Sequence, residues 1–405
     1  MGGLVPGSAF VPGADCGVSP ERTSSTLYLG KNSARPDTRP SSRPRDAAAS
    51  TRDGRAPRSF AATVFLIMSI FTFANAETLR WEQLPPIPDP EGFAAPFAGV
   101  SGGALIVAGG ANITGDRWKD PLTKKWYDSI FILEKPYGKW RRGLKLPRPL
   151  GYGVSVTADD GVLCFGGSDV TKHYAESFRL EWKNGAIKTT ALPPLPQPCA
   201  NACGALVART VFIAGGIETP TATTALHTVW TLDLDAPQPI WRELDPWPGP
   251  ERMLAVAGSD DRSFYLFSGT KLTASPDGKP VREFLRDAYR FTPGEGWKRL
   301  ADLPRGAVAA PSPAPLVDPL GLLILTGDDG VHANFQPVEK HPGFPQNALA
   351  YDPSADRWRV LEAVPFSRAT VPTVLWKGRL VVPNGEVRPR VRTPEVWSLP
   401  LSPNP

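Results

Sequence analysis

The chain is 405 residues long, 41% apolar, and carries 38 glycines and 46 prolines. That apolar content is enough for a core, while the Gly and Pro load excludes long helices and favours many short strands joined by turns. The net charge of +5 suggests a nucleic-acid partner, but residues 1–76 hold nine Lys/Arg against five Asp/Glu and the remainder 36 against 35; the basic balance belongs to the leader, and a phosphate-binding footprint is excluded.

Residues 1–58 are rich in Arg, Pro, Ser and Gly and poor in large apolar side chains, a composition that cannot bury a core and reads as a disordered leader. Next comes SFAATVFLIMSIFTFANA, residues 59–76, preceded by Arg55 and Arg58. Its apolar run falls short of the roughly 20 residues a spanning helix needs. It ends Ala74-Asn75-Ala76, a small-x-small pattern, and reads as a signal peptide cut before Glu77. The alternative is a membrane anchor. Because a signal normally opens a chain, residues before it fit an over-extended start. Of the cysteines, Cys16 lies in the leader; Cys164, Cys199 and Cys203 allow at most one internal bridge, and Cys164 in VLCFGG reads as a small buried apolar residue.

From residue 77 onward a repeat organises the sequence. An apolar strand running into a Gly pair or its equivalent recurs six times: LIVAGG, VLCFGG, VFIAGG, FYLFSG, LLILTG and RLVVPNG, at intervals of 57, 49, 53, 58 and 58 residues. After each comes a strand bearing an aromatic: DSIFILE, ESFRLEW, HTVWTLD, RDAYRFT, NALAYDP and PEVWSLP. An outer strand opening with Trp follows as WRRGLKLP, WRELDPWP, WKRLADLP and WRVLEAVP. The second unit offers AIKTTALP instead, and its outer strand is expected to pack less well. Four short strands per unit at this period predict an all-β fold, a six-bladed kelch-type β-propeller spanning 77–405. The last unit lacks an outer strand, and LRWEQLP, residues 79–85, stands alone at the other end. Pairing the two closes the ring and removes a free sheet edge.

Glu386 and Arg392 fall in the turn between second and third strands of the last unit. Arg148, Arg252, Arg305 and Arg368 fall in turns from an outer strand to the next inner strand. In a propeller both kinds of turn open on one face. Guanidiniums around a carboxylate suit an anionic small molecule, because Arg holds carboxylates bidentately. The competing reading is that the four arginines bond backbone carbonyls or neighbouring acids and tie blades together.

The segments PEGFAAPFAGVSGGALIVAGGANITG, RPLGYGVSV and NGEVRPRVRTPEVW resemble the N-acetylneuraminate epimerases, or sialic acid mutarotases, and more narrowly their cyclically permuted branch. The likeness covers essentially all of 77–405. It implies that Glu386 of the Asn-Gly-Glu turn is the proton acceptor and that Arg392 belongs to the site. The family's long polar insertion is represented by the shorter GDDGVHANFQPVEKHPGF. The implied reaction interconverts α and β anomers of a 2-keto sugar acid: a proton leaves the anomeric hydroxyl, the ring opens, and it recloses on the other face. No cofactor is needed. Arg388, Arg390 and Arg392 would favour the ionised Glu386 that a base requires.

Rival readings are a non-catalytic kelch propeller binding an acidic carbohydrate or a protein, and a redox or hydrolytic propeller. A metal site needs clustered ligands, and His332 and His341 with Asp328 and Asp329 form the one metal-like group, against His173 and His227 elsewhere; a solvated polar loop is the plainer reading. A glycosidase needs two carboxylates, and Asp328 could partner Glu386. The expected partners are a small-molecule sugar acid and at most a second copy in a homodimer, with no nucleic acid, and no membrane after signal removal; the expected location is periplasmic or secreted. N-terminal sequencing of the native protein is expected to begin at Glu77, and a chain retaining residues 59–76 refutes the cleavage.

Overall fold

The computed structural model describes residues 79–401; the leader and the apolar segment 59–76 lie outside the described residues. Six four-stranded antiparallel sheets form the blades of a propeller. Blade 1 runs from Phe97–Ser101 to Arg141–Lys145, blade 2 from Val154–Ala158 to Ala186–Leu192, and blade 3 from Cys203–Val207 to Trp241–Leu244. Blade 4 runs from Val256–Ser259 to Gly296–Leu300 and blade 5 from Leu316–Val317 to Arg357–Ala363. Blade 6 holds Val374–Trp376, Arg379–Pro383 and Val396–Pro400 and takes its outer strand, Glu82–Leu84, from the other end of the chain. The pairing is antiparallel, Glu82 opposite Ser398 and Leu84 opposite Val396, as closure requires. Three two-stranded hairpins project between second and third strands: Ala111–Thr114 with Thr123–Trp126 in blade 1, Thr270–Ala274 with Pro280–Phe284 in blade 4, and Glu386–Arg388 with Val391–Arg392 in blade 6.

Burial explains the strand types. Second strands such as Ala104–Ala108 and Gly161–Phe165 are buried at every position, because each blade is covered on both faces by its neighbours. Such strands read as continuous apolar runs rather than alternations. Outer strands such as Arg141–Lys145 are mostly exposed. The apolar clusters lie between blades: Phe97, Ile106 and Ile130 of blade 1 meet Val162, Leu180 and Trp182 of blade 2, and Leu84, Val374 and Val381 of blade 6 meet Leu105 and Val107 of blade 1.

The outer-strand tryptophans have a second task. The indole N–H of Trp140, Trp241, Trp297 and Trp358 donates to the carbonyl of Pro85, Pro193, Asp245 and Ala301 respectively, at 2.8–3.0 Å. Each acceptor lies just past the outer strand of the preceding blade. Blade 2 has no such Trp, and its outer strand instead pairs along seven residues, Ala186 to Leu192, with Ser177–Lys183; most of its side chains are exposed.

At the axis the blades are joined by a closed cycle of peptide hydrogen bonds. The N–H groups of Tyr152, Asn201, Leu254, Ala309, Thr370 and Ala95 donate in turn to the carbonyls of Ala95, Tyr152, Asn201, Leu254, Ala309 and Thr370, at 2.6–2.9 Å. All six donors are non-glycine residues at φ between 51° and 62°. They line a small central cavity of about 80 Å³.

Leu84 is 3% exposed and packs in the cluster between blades 6 and 1. Leu84→Ala is expected to lower the stability measured by urea unfolding by about 2–5 kcal/mol, whereas the exposed Ile240→Ala is expected to leave it unchanged. An equal, small effect of both would mean that the first strand does not complete blade 6.

Candidate active site

The residue following each Gly pair occupies one repeated position. In blades 1 to 6 it is Ala111, Ser168, Ile217, Thr270, Asp328 and Glu386, and each forms a backbone bridge to the residue just before an axial peptide: Ala94, Gly151, Ala200, Met253, Val308 and Ala369. This bridge fixes the six side chains around one mouth. Only positions 328 and 386 carry an ionisable group. At Gly385 φ is 108°, and a Cβ would stand 3.1 Å from the Ala369 carbonyl oxygen; glycine is what lets the chain reach Glu386 against that neighbour.

Glu386 lies opposite Arg392 in the blade 6 hairpin. The two side chains are 6% and 4% exposed, and Arg392 Nη1 is 3.3 Å from Glu386 Oε1. The Arg390 N–H donates to the same Oε1 at 2.8 Å, and Thr370 Oγ1, from the axial cycle, is 3.5 Å from Oε2. A carboxylate this deeply buried needs both a cation and donors, and the hairpin supplies them. The guanidiniums of Arg388 and Arg390 turn to other tasks. Arg390 donates to Asp120 Oδ1 at 3.1 Å and to the Arg117 carbonyl at 3.2 Å. Arg388 bonds the Glu339 carbonyl and lies 5.3 Å from the Trp118 ring centroid. The hairpin is thereby braced against blade 1 on one side and the blade 5 insertion on the other.

Asp328, half-buried, stands at the corresponding point of blade 5. Its Oδ1 accepts the Gly330 N–H at 2.9 Å. Burial pushes its carboxyl above the usual range, the Gly330 bond opposes this, and the charges of Asp329 and Glu386 add to the rise while Arg282 works against it. On blades 1 and 2, Lys124 Nζ lies 3.9 Å from the Tyr152 ring centroid and 4.9 Å from that of Trp126, an aromatic and cationic pairing that sequence reasoning did not single out. Nearby His173 is buried, its Nδ1 is 3.0 Å from the Ile217 carbonyl, and burial lowers its pKa.

The four turn arginines do not gather at Glu386. Arg252 is fully buried and grips Asp287 with two bonds of 2.8 and 2.7 Å while also donating to the Ser268 carbonyl. Arg305 donates to Asn347 Oδ1 at 2.8 Å and to the Thr326 carbonyl at 2.8 Å, and burial pulls its pKa down to about 10. Arg368 donates to Glu395 Oε2 at 2.8 Å. Arg148 lies at the exposed rim, 3.4 Å from Glu176, with its guanidinium over the Tyr174 ring. Glu176, Asp287 and Glu395 directly precede a third strand, and Asn347 opens one. In these positions the four groups tie the incoming turn to its own blade, the second of the two readings the sequence left open.

The metal-like group is also reassigned. His332, His341 and Phe335 pack edge to face, the Gly343 N–H donates to His341 Nδ1 at 3.0 Å, and no three His, Cys, Asp or Glu gather as ligands among the described residues. Cys164, Cys199 and Cys203 are free thiols, all buried.

Residues 68–188 match the family model described as N-acetylneuraminate epimerase; this stretch reaches through blades 1 and 2. The chain is 31% identical to the N-acetylneuraminate epimerase of Haemophilus influenzae (strain 86-028NP) over 226 residues, covering 50% of this chain and 57% of that protein. It is 35% identical to the N-acetylneuraminate epimerase of Yersinia pestis (strain Pestoides F) over 131 residues, 28% and 32% of the two chains. The chain thus spans well under two thirds of the length of the curated relatives it matches. The solved structure of YjhT superposes with a TM-score of 0.56 at 14% identity, covering 76% of this chain and 95% of that one, a likeness of fold.

Arg252→Met leaves Asp287 buried without its cation and is expected to cost about 3–5 kcal/mol of stability. Burial alone would raise the Asp287 carboxyl, but the Arg252 pair outweighs it and holds the pKa below the ordinary range. The contribution is therefore present above the unfolded carboxylate pKa and is lost as pH falls through the folded one. Denaturation midpoints of both proteins across the acid range should converge at low pH; a constant difference would show that Arg252 acts through packing alone.

Proposed function

We propose that this chain, a relative of the N-acetylneuraminate epimerases, interconverts the α and β anomers of N-acetylneuraminic acid or a related 2-keto sugar acid by cofactor-free acid–base chemistry. The observation that carries the reading is the buried Glu386–Arg392 pair at the mouth of the propeller, held 3.3 Å apart. Glu386 accepts the anomeric proton through Oε2, the oxygen that faces Thr370 rather than the Arg390 N–H. Arg392 lies beside that carboxylate and offers charge to the sugar carboxylate. The hairpin braces keep both groups in place before substrate arrives, which is what pre-organised catalysis needs. Partial matches to curated epimerases support the substrate class. The order of the units, with the Asn-Gly-Glu turn in the last blade, is read as a cyclic permutation of the family arrangement.

The protein is read as exported, to the periplasm or beyond, on the apolar segment before Glu77. No helix among the described residues is long and apolar enough to cross a membrane.

Saturation-transfer NMR on the two anomers of N-acetylneuraminic acid, with purified protein, tests the activity. Glu386→Gln keeps an acceptor for the Arg390 N–H and is expected to remain folded while losing about 10²–10⁴-fold of the exchange rate, the scale of general acid–base help. Saturable sugar binding with no acceleration of exchange would favour a propeller that only binds an acidic carbohydrate.

A further inference from the structure

Opening the ring requires two proton transfers at one carbon: one from the anomeric hydroxyl and one to the ring oxygen. Glu386 accounts for the first. We infer that Asp328 is the second catalytic residue, the acid that protonates the ring oxygen as Glu386 takes the anomeric proton. The inference rests on the anomer-interconversion reading and names the acid it lacks.

Geometry carries it. Asp328 and Glu386 hold the same repeat position on adjacent blades, and each backbone exchanges two hydrogen bonds with the neighbouring turn: Val308 with Asp328 at 2.8 and 2.9 Å, Ala369 with Glu386 at 2.8 and 3.0 Å. The two carboxyls are therefore presented to the mouth in the same way, one blade apart. The other four positions of this ring offer Ala111, Ser168, Ile217 and Thr270, none of which can exchange a proton near neutral pH. The two environments differ in the sense the chemistry asks for. Glu386 is paired with Arg392. Burial favours the neutral form of Asp328, and the charges of Asp329 on its own loop and Glu386 on blade 6 add to this, against the Gly330 N–H and Arg282 of the blade 4 hairpin. On the blade 5 insertion His341 interacts with His332, Arg388 and Asp329, and the insertion also carries Glu339 and Lys340. Paired carboxyls set apart by their surroundings divide into base and acid.

The step balances without any co-reactant. Glu386 carboxylate takes the proton of the anomeric hydroxyl, that oxygen's electron pair forms the carbonyl, and the bond from the anomeric carbon to the ring oxygen breaks. The ring oxygen takes the released pair and receives the proton from Asp328. After rotation about the adjacent carbon–carbon bond, Asp328 carboxylate recovers that proton as the oxygen attacks the other carbonyl face. Glu386 then returns its proton to the new anomeric oxygen. Both groups end as they began.

The test is the pH dependence of anomer exchange in wild type and Asp328→Asn. Asparagine can still accept the Gly330 N–H, so the turn is preserved, but it cannot deliver a proton. Wild type is expected to lose rate as pH rises and Asp328 deprotonates; Asp328→Asn should be slower by about 10²-fold or more and lack that alkaline limb, with sugar affinity little changed. A purely structural Asp328 would give wild-type rate and an unchanged profile, which overturns the inference while leaving Glu386 its role. A second measurement does not depend on turnover: carbon-13 titration of the Asp328 carboxyl, expected above the ordinary range and lower in Glu386→Gln. Titration in the ordinary range, unaffected by Glu386→Gln, also overturns it. Coupled titration in a wild-type protein that exchanges no anomers would instead bring down the activity reading, and the acid role with it.

Discussion

Six peptide groups around the axis, each donating to the blade before, turn a row of sheets into a closed ring. The cycle has a local cost, since each of the six residues sits in the left-handed region without being glycine, a conformation worth of order 1 kcal/mol or more in strain. Buried peptide groups that would otherwise lack partners offset it, and so does inter-blade packing that exists only once the ring is shut. Because the residue preceding each of these six bridges the position after a Gly pair, the cycle also sets where those six side chains point. The site inherits its geometry from ring closure.

That dependence explains why the turn arginines are consumed by structure. Each turn that enters the axial cycle must be held at a fixed height, and a guanidinium bonding both a backbone carbonyl and a polar residue at the start of the third strand or just before it does so for blades 4 and 5. Arg252 over Trp247 and Tyr289 is nearly a core residue. A group so engaged cannot turn to a ligand without breaking its own blade.

The ring was legible in the sequence because its signals are repeated: apolar second strands, Gly pairs, outer-strand tryptophans, and a missing strand with a matching orphan at the other end. Glu386 and Arg392 were legible through the Asn-Gly-Glu turn and the family resemblance, and the structure pairs them. The turn arginines left two readings open because a lone Arg in a turn fits a ligand or a latch equally well. What decides between them is the partner, and Glu176, Asp287, Asn347 and Glu395 each stand at the start of a third strand or just before it. The aromatic and lysine pairing of Trp126, Tyr152 and Lys124 could not be read, since it joins two blades through a side-chain contact that leaves no periodic trace. Asp328 was visible as a partner for Glu386 in a hydrolytic reading, but its shared repeat position was not; aligning the units on their Gly pairs would have revealed it.

The hairpin bearing Glu386 shows how a propeller holds a buried carboxylate without loosening its core. The six blades are already committed to packing on both faces, so a buried carboxylate among them would face only apolar neighbours and would be neutral. Placing it in an insertion above the axis, opposite Arg392, lets it stay buried beside a cation. An isolated hairpin this short is not stable by itself, and the two outward arginines meet that need: Arg390 fastens it to blade 1 through Asp120, and Arg388 to the blade 5 insertion through Glu339. The three arginines so close to one glutamate thus divide their work, two fixing the platform and one facing the charge. Replacing either brace should loosen Glu386 without touching it, and the position of its carboxylate then depends on blades that share no strand with it.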